Sequence, residues 1–258
     1  MESAIKALLV QFSWNPWFTE SFWPENEQRI RLILSDIQNN VAVGEPILDV
    51  GCANGFLTFL LSKLGYRVTA TDAAEMEERV ELFSDCGADF FCCNLNEPSA
   101  LNHLPANSFA AVVMGEIFEH ILNHPLGLMR SIARITSQEG ALIMTTPNPA
   151  TIANAYRTLM GRNSLWGTPE FMNLPKVQYG RITDIGHVHF REYLTPEISR
   201  LLSESGFMVE RVEYFAHGSS RQQPLIKRLI KSNPLIRSLL SHRALGANQY
   251  VLARRKDM

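Results

Sequence analysis

The feature that most constrains this chain is a regular alternation of short apolar segments with amphipathic segments between about residues 45 and 147. Near-continuous apolar runs predict strands that are buried on both faces of a sheet, and the helical periodicity between them predicts the helices that cover those faces. Because a helix follows almost every strand, neighbouring strands should run parallel. The sequence therefore predicts an α/β fold with a doubly wound, mostly parallel sheet.

Seven strands and five longer helices account for most of the chain. The predicted strands cover 46–51, 67–72, 88–93, 108–114, 140–147, 207–215 and 248–256. The predicted helices cover 25–41, 55–65, 76–87, 116–136 and 194–206. Helices that alternate with strands in this order belong on both faces of one sheet.

Segments at the N-terminus and between the later strands interrupt this rhythm. Residues 1–42 are predicted to form an N-terminal helical cap on a domain that spans 43–258. Residues 148–190 are rich in Asn, Gly, Pro and aromatic residues, which favours a lid insertion over the strand ends. Residues 220–245 form a second insertion, in which Leu and Ile alternate with Lys and Arg.

The second insertion has the composition of a basic amphipathic helix pair divided at Pro234. Such a segment can rest on a membrane surface, here through 224–243, or meet an acidic substrate or RNA. It can also pack its apolar face on the domain or on a second subunit of a homodimer and leave its charges in water. The last interpretation, packing, is favoured.

Composition limits the classes of partner and compartment. The 258 residues are 46% hydrophobic with a formal net charge of −2, which is globular and does not require a nucleic-acid partner. No apolar run reaches the roughly 18 residues of a membrane span, and the first residues lack the features of a signal peptide, so a cytoplasmic protein is expected. Four cysteines without CxxC spacing are expected to be buried, reduced thiols rather than zinc ligands: Cys52, Cys86, Cys92 and Cys93.

Ligands of open α/β sheets bind beyond the carboxyl ends of the strands, and the first such end carries the turn DVGCANGF. Gly51 and Gly55 allow a tight turn and a close approach of the backbone to a ligand. Asp49 ends the strand, where a carboxylate suits an ammonium group better than a pyrophosphate. Asp72 ends the next strand seventeen residues after Gly55, where a carboxylate usually binds a ribose diol.

Five segments in this order resemble the class I S-adenosylmethionine-dependent methyltransferases: ILDVGCANG, VTATD, FCCNLNEP, FAAVVMGEIFEHI and EGALIMTTPNP. Ala53 departs from the family at a position that is usually glycine, and Asn94 stands where aspartate is commoner. The resemblance implies a Rossmann-like fold and S-adenosylmethionine as the cofactor. It implies a cofactor site made of Asp49, Gly51, Ala53, Asn54, Gly55, Asp72, Ala73, Asn94, Leu95 and Gly115.

The segment GEIFEH places Glu116, Glu119 and His120 at i, i+3 and i+4, on one face of the helix predicted after the fourth strand. Three interpretations remain open. The acidic residues can simply favour the start of a helix. His120, oriented by a carboxylate such as Glu119, can act as a general base. The three side chains can also contribute to a site for a divalent metal ion.

The metal interpretation draws on a second resemblance. ExxEH followed far downstream by H-x-x-E-aromatic is similar to the ubiquinone-biosynthesis O-methyltransferases and to the enzymes that methylate the terminal 2′-hydroxyl of small RNAs. Both groups use a divalent ion. The resemblance implies Glu116, Glu119, His120 and His189 as ligands of Mg, Mn or Zn, and His120, Glu119 and His189 as catalytic residues.

The expected function is therefore methyl transfer from S-adenosylmethionine to an oxygen of a small molecule, sugar, natural product or glycoconjugate, with nitrogen as the less favoured acceptor. The aromatic and amide residues of 148–190 suit such an acceptor. The first alternative is metal-dependent 2′-O-methylation of RNA, against which the nearly neutral net charge argues. The second is a non-catalytic module that only binds S-adenosylmethionine.

Overall fold

A seven-stranded sheet organises the protein. The structure, a computed structural model, describes residues 10, 22–73, 77–164, 189–215 and 246–256. The strands are β1 (Pro46–Val50), β2 (Arg67–Asp72), β3 (Asp89–Cys92), β4 (Phe109–Gly115), β5 (Thr136–Pro147), β6 (Phe207–Phe215) and β7 (Asn248–Arg255). Their spatial order is β3-β2-β1-β4-β5-β7-β6, with β1 to β5 parallel and β7 antiparallel to both neighbours. This confirms the predicted Rossmann-like, mostly parallel sheet.

Helices cover both faces of this sheet. In the described residues they are α1 (Phe22–Asn40), α2 (Phe56–Lys63), α3 (Glu77–Cys86), α4 (Pro125–Ile135), α5 (Ile152–Leu159) and α6 (Thr195–Ser205). Successive strand residues point to opposite faces: Ile47 joins the apolar cluster under α1 to α3, whereas Leu48 joins the cluster under α4 and α6. Burial on both faces is the physical reason for the continuous apolar runs in the sequence.

Helix α1 is fixed to the far edge of the sheet by a buried carboxylate. Its apolar stripe, which includes Ile33 and Ile37, is fully buried against the sheet. The carboxylate of Asp36 accepts hydrogen bonds from the hydroxyl of Tyr250 on β7 and from the guanidinium of Arg211 on β6. Helix α1 is therefore part of the same packed unit as the strands.

The main departure from the sequence prediction follows β4. The predicted helix 116–136 is replaced by a short 3₁₀ turn, Phe118–His120, and by α4, which begins only at Pro125. The fifth strand also begins earlier than predicted, at Thr136, with a register shift against β4. The thiol prediction was partly wrong, because all four cysteines are free but Cys92 is exposed and only Cys52 is fully buried.

Parts of the predicted domain organisation fall outside the described residues. Of the lid insertion 148–190, the structure describes 148–164, where α5 lies on the surface without a buried residue, and 189–190. The basic segment 220–245, with its proposed membrane contact 224–243, lies outside the described residues, so its role stays a prediction. None of the helices that the structure describes is long and apolar enough to pass through a lipid bilayer.

Candidate functional site

The carboxyl ends of β1 to β4 meet at one edge of the sheet because these strands are parallel and adjacent. Each of the predicted cofactor-binding residues lies at or just beyond one of these ends. They are Asp49, Gly51, Ala53, Asn54 and Gly55 at β1, Asp72 and Ala73 at β2, Asn94 and Leu95 after β3, and Gly115 at β4. The topology thus brings the whole predicted set to one edge.

The turn after β1 is tightly fixed to the end of β2. Gly51 has a φ of 72°, and its N–H donates to the carbonyl of Thr71 at 2.8 Å. A Cβ at Gly51 would lie 2.0 Å from Cδ1 of Ile117, so any side chain at this position requires Ile117 to move. Ala53 has a φ of 46°, and its N–H donates to Oδ2 of Asp72 at 2.9 Å. Ala53 therefore occupies the left-handed conformation that explains why the family usually has glycine here.

Asp49 is a buried carboxylate at the floor of this turn. It is 3% exposed, and the hydroxyl of Thr58 on α2 donates to its Oδ2 at 2.6 Å. Burial raises the pKa of Asp49 to about 6, and the negative charge of Asp72 acts in the same direction. A positively charged group beside these two carboxylates would stabilise their ionised forms. The edge of the sheet can therefore hold a cationic ligand such as the ammonium of an amino acid.

The loop after β3 lies next to the end of β2. The N–H of Cys93 donates to the carbonyl of Asp72 at 2.8 Å, which keeps the loop beside the end of β2. The side chain of Asn94 accepts from the N–H of Asn96 at 3.0 Å, and the side chain of Leu95 is half-buried. The amide at Asn94 thus shapes its own loop, a task that the commoner aspartate could perform equally well.

The backbone after β4 turns sharply at Glu116. Its φ is 57°, and its N–H donates to the carbonyl of Thr145 on β5 at 2.9 Å. A left-handed residue cannot continue a right-handed helix, so the prediction that Glu116, Glu119 and His120 share one helical face was wrong. The 3₁₀ turn that follows instead directs Glu119 into the interior and leaves His120 half-buried.

Glu119, His120 and His189 nevertheless come together. One ligand atom from each lies within 4.8 Å of the others, and the two imidazole rings meet edge to face with centroids 5.1 Å apart. The carbonyl of Glu119 accepts from the N–H of Phe190 at 2.8 Å, which holds the segment of His189 against the 3₁₀ turn. Three of the four predicted metal ligands thus form one group, and Glu116 lies outside it.

Two carboxylate oxygens, one in this group and one on the nearby Glu116, have no hydrogen-bond partner among the described residues. They are Oε1 of Glu116 and Oε1 of Glu119, and both are buried. The other oxygen of Glu119 accepts from the hydroxyl of Thr146 at 2.9 Å. Buried carboxylate oxygens without a donor are costly unless a proton or a cation satisfies them. A carboxylate oxygen of Glu119 and the two imidazoles form a donor set that fits a divalent ion, with Glu116 adjacent.

Electrostatics at this group also favour an added positive charge. Burial, together with the negative charge of Glu116, raises the pKa of Glu119 to about 8. A hydrogen bond between Nδ1 of His189 and Oε1 of Glu192, at 3.1 Å, raises the pKa of His189. A proton or a metal ion is therefore favoured here near neutral pH.

Sequence reasoning missed four residues that support these groups: Thr58, Asn96, Thr146 and Glu192. Only Glu192 had a signal, since it is the glutamate of the H-x-x-E-aromatic pattern. The other three are ordinary Thr and Asn residues whose partners lie 9 to 27 positions away in the sequence. No local pattern distinguishes them from surface polar residues.

Comparisons with known proteins identify the family to which this fold belongs. A family described as "Methyltransferase domain" matches residues 22–212. The ubiquinone biosynthesis O-methyltransferase of Xanthomonas axonopodis pv. citri (strain 306) is 28% identical over 176 residues, which is 66% of this chain and 65% of that relative. The chain thus spans somewhat less than two thirds of the length of this curated relative.

Solved structures share the fold at low sequence identity. An S-adenosylmethionine-dependent methyltransferase from Mesorhizobium loti has a TM-score of 0.59 at 18% identity, over 90% of this chain and 98% of its own. The 1,6-didemethyltoxoflavin-N1-methyltransferase of Burkholderia thailandensis, solved with S-adenosylhomocysteine, has a TM-score of 0.56 at 15% identity, over 99% and 89%. The family match covers most of the chain, and the sheet order and strand-end residues agree with it: the chain belongs to the class I S-adenosylmethionine-dependent methyltransferase family.

Proposed function

We propose that this protein transfers the methyl group of S-adenosylmethionine to an oxygen atom of a small molecule, sugar or natural product, and that a divalent metal ion assists. The observation that carries the proposal is the group formed by the buried Glu119 and the half-buried His120 and His189, beyond the end of β4 and next to the predicted cofactor turn. Oxygen is favoured over nitrogen because a hydroxyl needs help to lose its proton, and this group offers bases and a metal site.

In this proposal the turn after β1 holds the methionine part of the cofactor. Asp49 and Asp72 supply negative charge for its cationic groups and its ribose, and Gly51 lets the backbone approach. Asn94 and Leu95 flank the adenine. This arrangement would place the methyl-bearing end of the cofactor near the segment after β4, where Glu116 turns the chain.

The reaction is an in-line displacement, so alignment of the two substrates supplies most of the rate. The acceptor oxygen forms a bond to the methyl carbon while the bond between that carbon and sulfur breaks, which leaves S-adenosylhomocysteine. The hydroxyl proton would pass to solvent water where His120 binds the metal ion, and to His120 acting as a base where it does not. Glu119, His120 and His189 would hold the metal ion, with Glu116 adjacent, and a bound ion would lower the pKa of the acceptor hydroxyl.

A relative supports the choice of oxygen. The Xanthomonas protein is named a ubiquinone biosynthesis O-methyltransferase, and its similarity extends over two thirds of this chain. The fold alone does not distinguish methylation of oxygen from methylation of nitrogen, because a structural neighbour is an N-methyltransferase. Methylation of RNA ends is less favoured, since the chain carries a net charge of −2.

The first experiment measures Mn²⁺ binding by calorimetry on protein prepared without chelators or a histidine tag, beside the variants Glu119→Gln and Glu139→Gln. Glu139 is an exposed glutamate on β5 and serves as the matched control. We expect one tight site in the parent and in Glu139→Gln and its loss in Glu119→Gln, because only Glu119 lies among the proposed ligands.

The second experiment offers S-adenosylmethionine with a labelled methyl group and a panel of catechols, vicinal diols, sugars, amines and RNA ends. Transfer to a hydroxyl that Mn²⁺ increases and a chelator suppresses is the expected result. Transfer to amines that is indifferent to metal would contradict the proposal. Tight cofactor binding without transfer to any acceptor would instead favour the non-catalytic module.

A further inference from the structure

We infer that Glu192 is a positioning residue that fixes the orientation and tautomer of the His189 imidazole, so that its Nε2 atom faces Glu119 and His120. The inference rests on the proposed function, in which His189 is a ligand of the metal ion. It concerns a side chain that itself lies outside the group of Glu119, His120 and His189.

The contact that carries the inference joins Nδ1 of His189 to Oε1 of Glu192, at 3.1 Å. The Glu192 side chain is 12% exposed and that of His189 is 32% exposed, so water competes only partly for this hydrogen bond. The two residues lie in the non-helical segment that precedes α6. Their approach is therefore not a consequence of helical spacing.

The backbone around Glu192 is already held by other contacts. On one side, the N–H of Phe190 donates to the carbonyl of Glu119 at 2.8 Å. On the other side, the carbonyl of Tyr193 accepts from Nε2 of Gln249 at 2.6 Å, and the Tyr193 ring packs on Phe118 with centroids 4.7 Å apart. The segment thus has anchors on both sides that do not involve the carboxylate of Glu192.

The carboxylate also stands where like charges are already concentrated. The charges of Glu116, Glu119 and Glu192 all act on His189. Glu192 has a favourable partner there, because its hydrogen bond raises the pKa of His189. The same hydrogen bond orients the ring, because the carboxylate fixes which nitrogen of His189 carries the proton.

The tautomer decides what the imidazole can do. A neutral imidazole has one N–H donor and one nitrogen lone pair. When Nδ1–H donates to Glu192, the lone pair lies on Nε2, which is then the atom available to bind a metal ion. Carboxylates commonly hold metal-binding histidines in this way, and their removal typically weakens metal affinity by about 10- to 100-fold.

The first test uses the metal-free protein, labelled with ¹⁵N at histidine, and reads the tautomer of His189 from its ring-nitrogen shifts. At a pH above the pKa of His189, where the ring is neutral, the parent should show the proton on Nδ1. Glu192→Ala should shift the population toward the Nε2–H form, and Glu192→Gln, which keeps an acceptor oxygen, should shift it less. Glu204→Gln, an exposed glutamate on α6, is the control and should leave the spectrum unchanged.

The second test measures Mn²⁺ affinity of the same proteins. Glu192→Ala should bind about 10- to 100-fold more weakly than the parent, Glu192→Gln should lie between them, and Glu204→Gln should match the parent. Urea unfolding of each variant checks that the fold survives, and the Gln variant keeps the test decisive if the Ala variant does not fold.

The outcomes separate the two proposals. An unchanged tautomer in Glu192→Ala, or equal Mn²⁺ affinity in all variants, would overturn the role of Glu192. Absence of Mn²⁺ binding to the parent protein would overturn the proposed metal function instead. In that case the tautomer measurement alone still decides whether Glu192 positions His189.

Discussion

Gly51 and Gly87 adopt nearly the same left-handed backbone conformation, with φ angles of 72° and 69°, but only Gly51 is crowded. A Cβ at Gly51 would lie 2.0 Å from the Ile117 side chain, whereas a Cβ at Gly87 would meet nothing within 4 Å. At the scale of single residues, this pair separates the cost of backbone conformation from the cost of steric overlap.

We expect Gly87→Ala to cost about 1–2 kcal/mol of unfolding free energy, from the left-handed conformation alone. Gly51→Ala should cost about 1–3 kcal/mol more, because Ile117 must move. Urea unfolding of both variants measures the difference. Since Ile117 follows Glu116, Gly51→Ala should also weaken Mn²⁺ binding, which Gly87→Ala should not. Equal stability of the two variants would mean that the Ile117 side chain moves away from the new Cβ without a cost in free energy.

Asp72 is the residue on which cofactor affinity should depend most. Its carboxylate accepts the N–H of Ala53 at 2.9 Å and stands at the predicted ribose position. Loss of a charged hydrogen-bond acceptor costs about 1.5–3 kcal/mol, so Asp72→Ala should weaken S-adenosylhomocysteine binding by roughly 10- to 150-fold. Calorimetry against Asp89→Ala, an exposed aspartate at the start of β3, provides the comparison. Unchanged affinity would show that the ribose lies elsewhere.

At the scale of elements, the segment between the 3₁₀ turn and α4 depends on one amide. Oδ1 of Asn96 accepts from the N–H groups of Leu122 and Asn123, at 2.7 and 3.1 Å, and its Nδ2 donates to the carbonyl of His120 at 3.3 Å. These backbone groups would have been paired within the predicted helix. Asn96 replaces that pairing and ties the segment of His120 to the loop that contains Asn94.

Asn96→Ala should therefore cost about 0.5–1.5 kcal/mol, since the exposed N–H groups of Leu122 and Asn123 exchange this partner for water. Hydrogen exchange of the backbone amides at 120–123 should become faster in this variant. The amides of the sheet should exchange almost as slowly as in the parent protein. Asn102, which is exposed in the same loop region, provides the control as Asn102→Ala. If the 120–123 amides exchange at the same rate in both variants, the segment is held by packing rather than by Asn96.

At the scale of the whole molecule, some structural features could be predicted from the local sequence and others could not. The strands were predictable because burial on both faces leaves a continuous apolar run, as in β1 and β4. The turn at Glu116 was not, because the apolar spacing through Ile117 and Ile121 also suits a helix. Whether this segment forms a turn or a helix depends on contacts with Thr145 and Asn96, which are distant in the sequence. For the same reason ExxEH revealed two members of the site, and His189 entered only through a family resemblance.

The unfolding free energy of the whole protein should depend on pH because the carboxyl group of Glu119 is buried. Glu119 has an ordinary pKa near 4.5 in the unfolded chain and about 8 in the folded protein, because burial disfavours its charge. Between these values the folded state keeps a proton that the unfolded state has lost, so rising pH favours unfolding. The stabilising contribution is complete below about pH 4.5 and is lost as the pH rises through about 8.

We therefore expect the unfolding free energy of the metal-free protein to fall with pH in this window, by at most about 1.4 kcal/mol per pH unit from Glu119. Glu119→Gln should flatten that slope, because the amide does not titrate, whereas Asp49, whose pKa is also raised, remains in both proteins. Urea unfolding from pH 5 to 8 with a chelator measures the slopes. Excess Mn²⁺ should reverse the trend in the parent alone, since the ion binds the ionised carboxylate of the folded state. Parallel curves for parent and variant would mean that Glu119 is ionised without a metal.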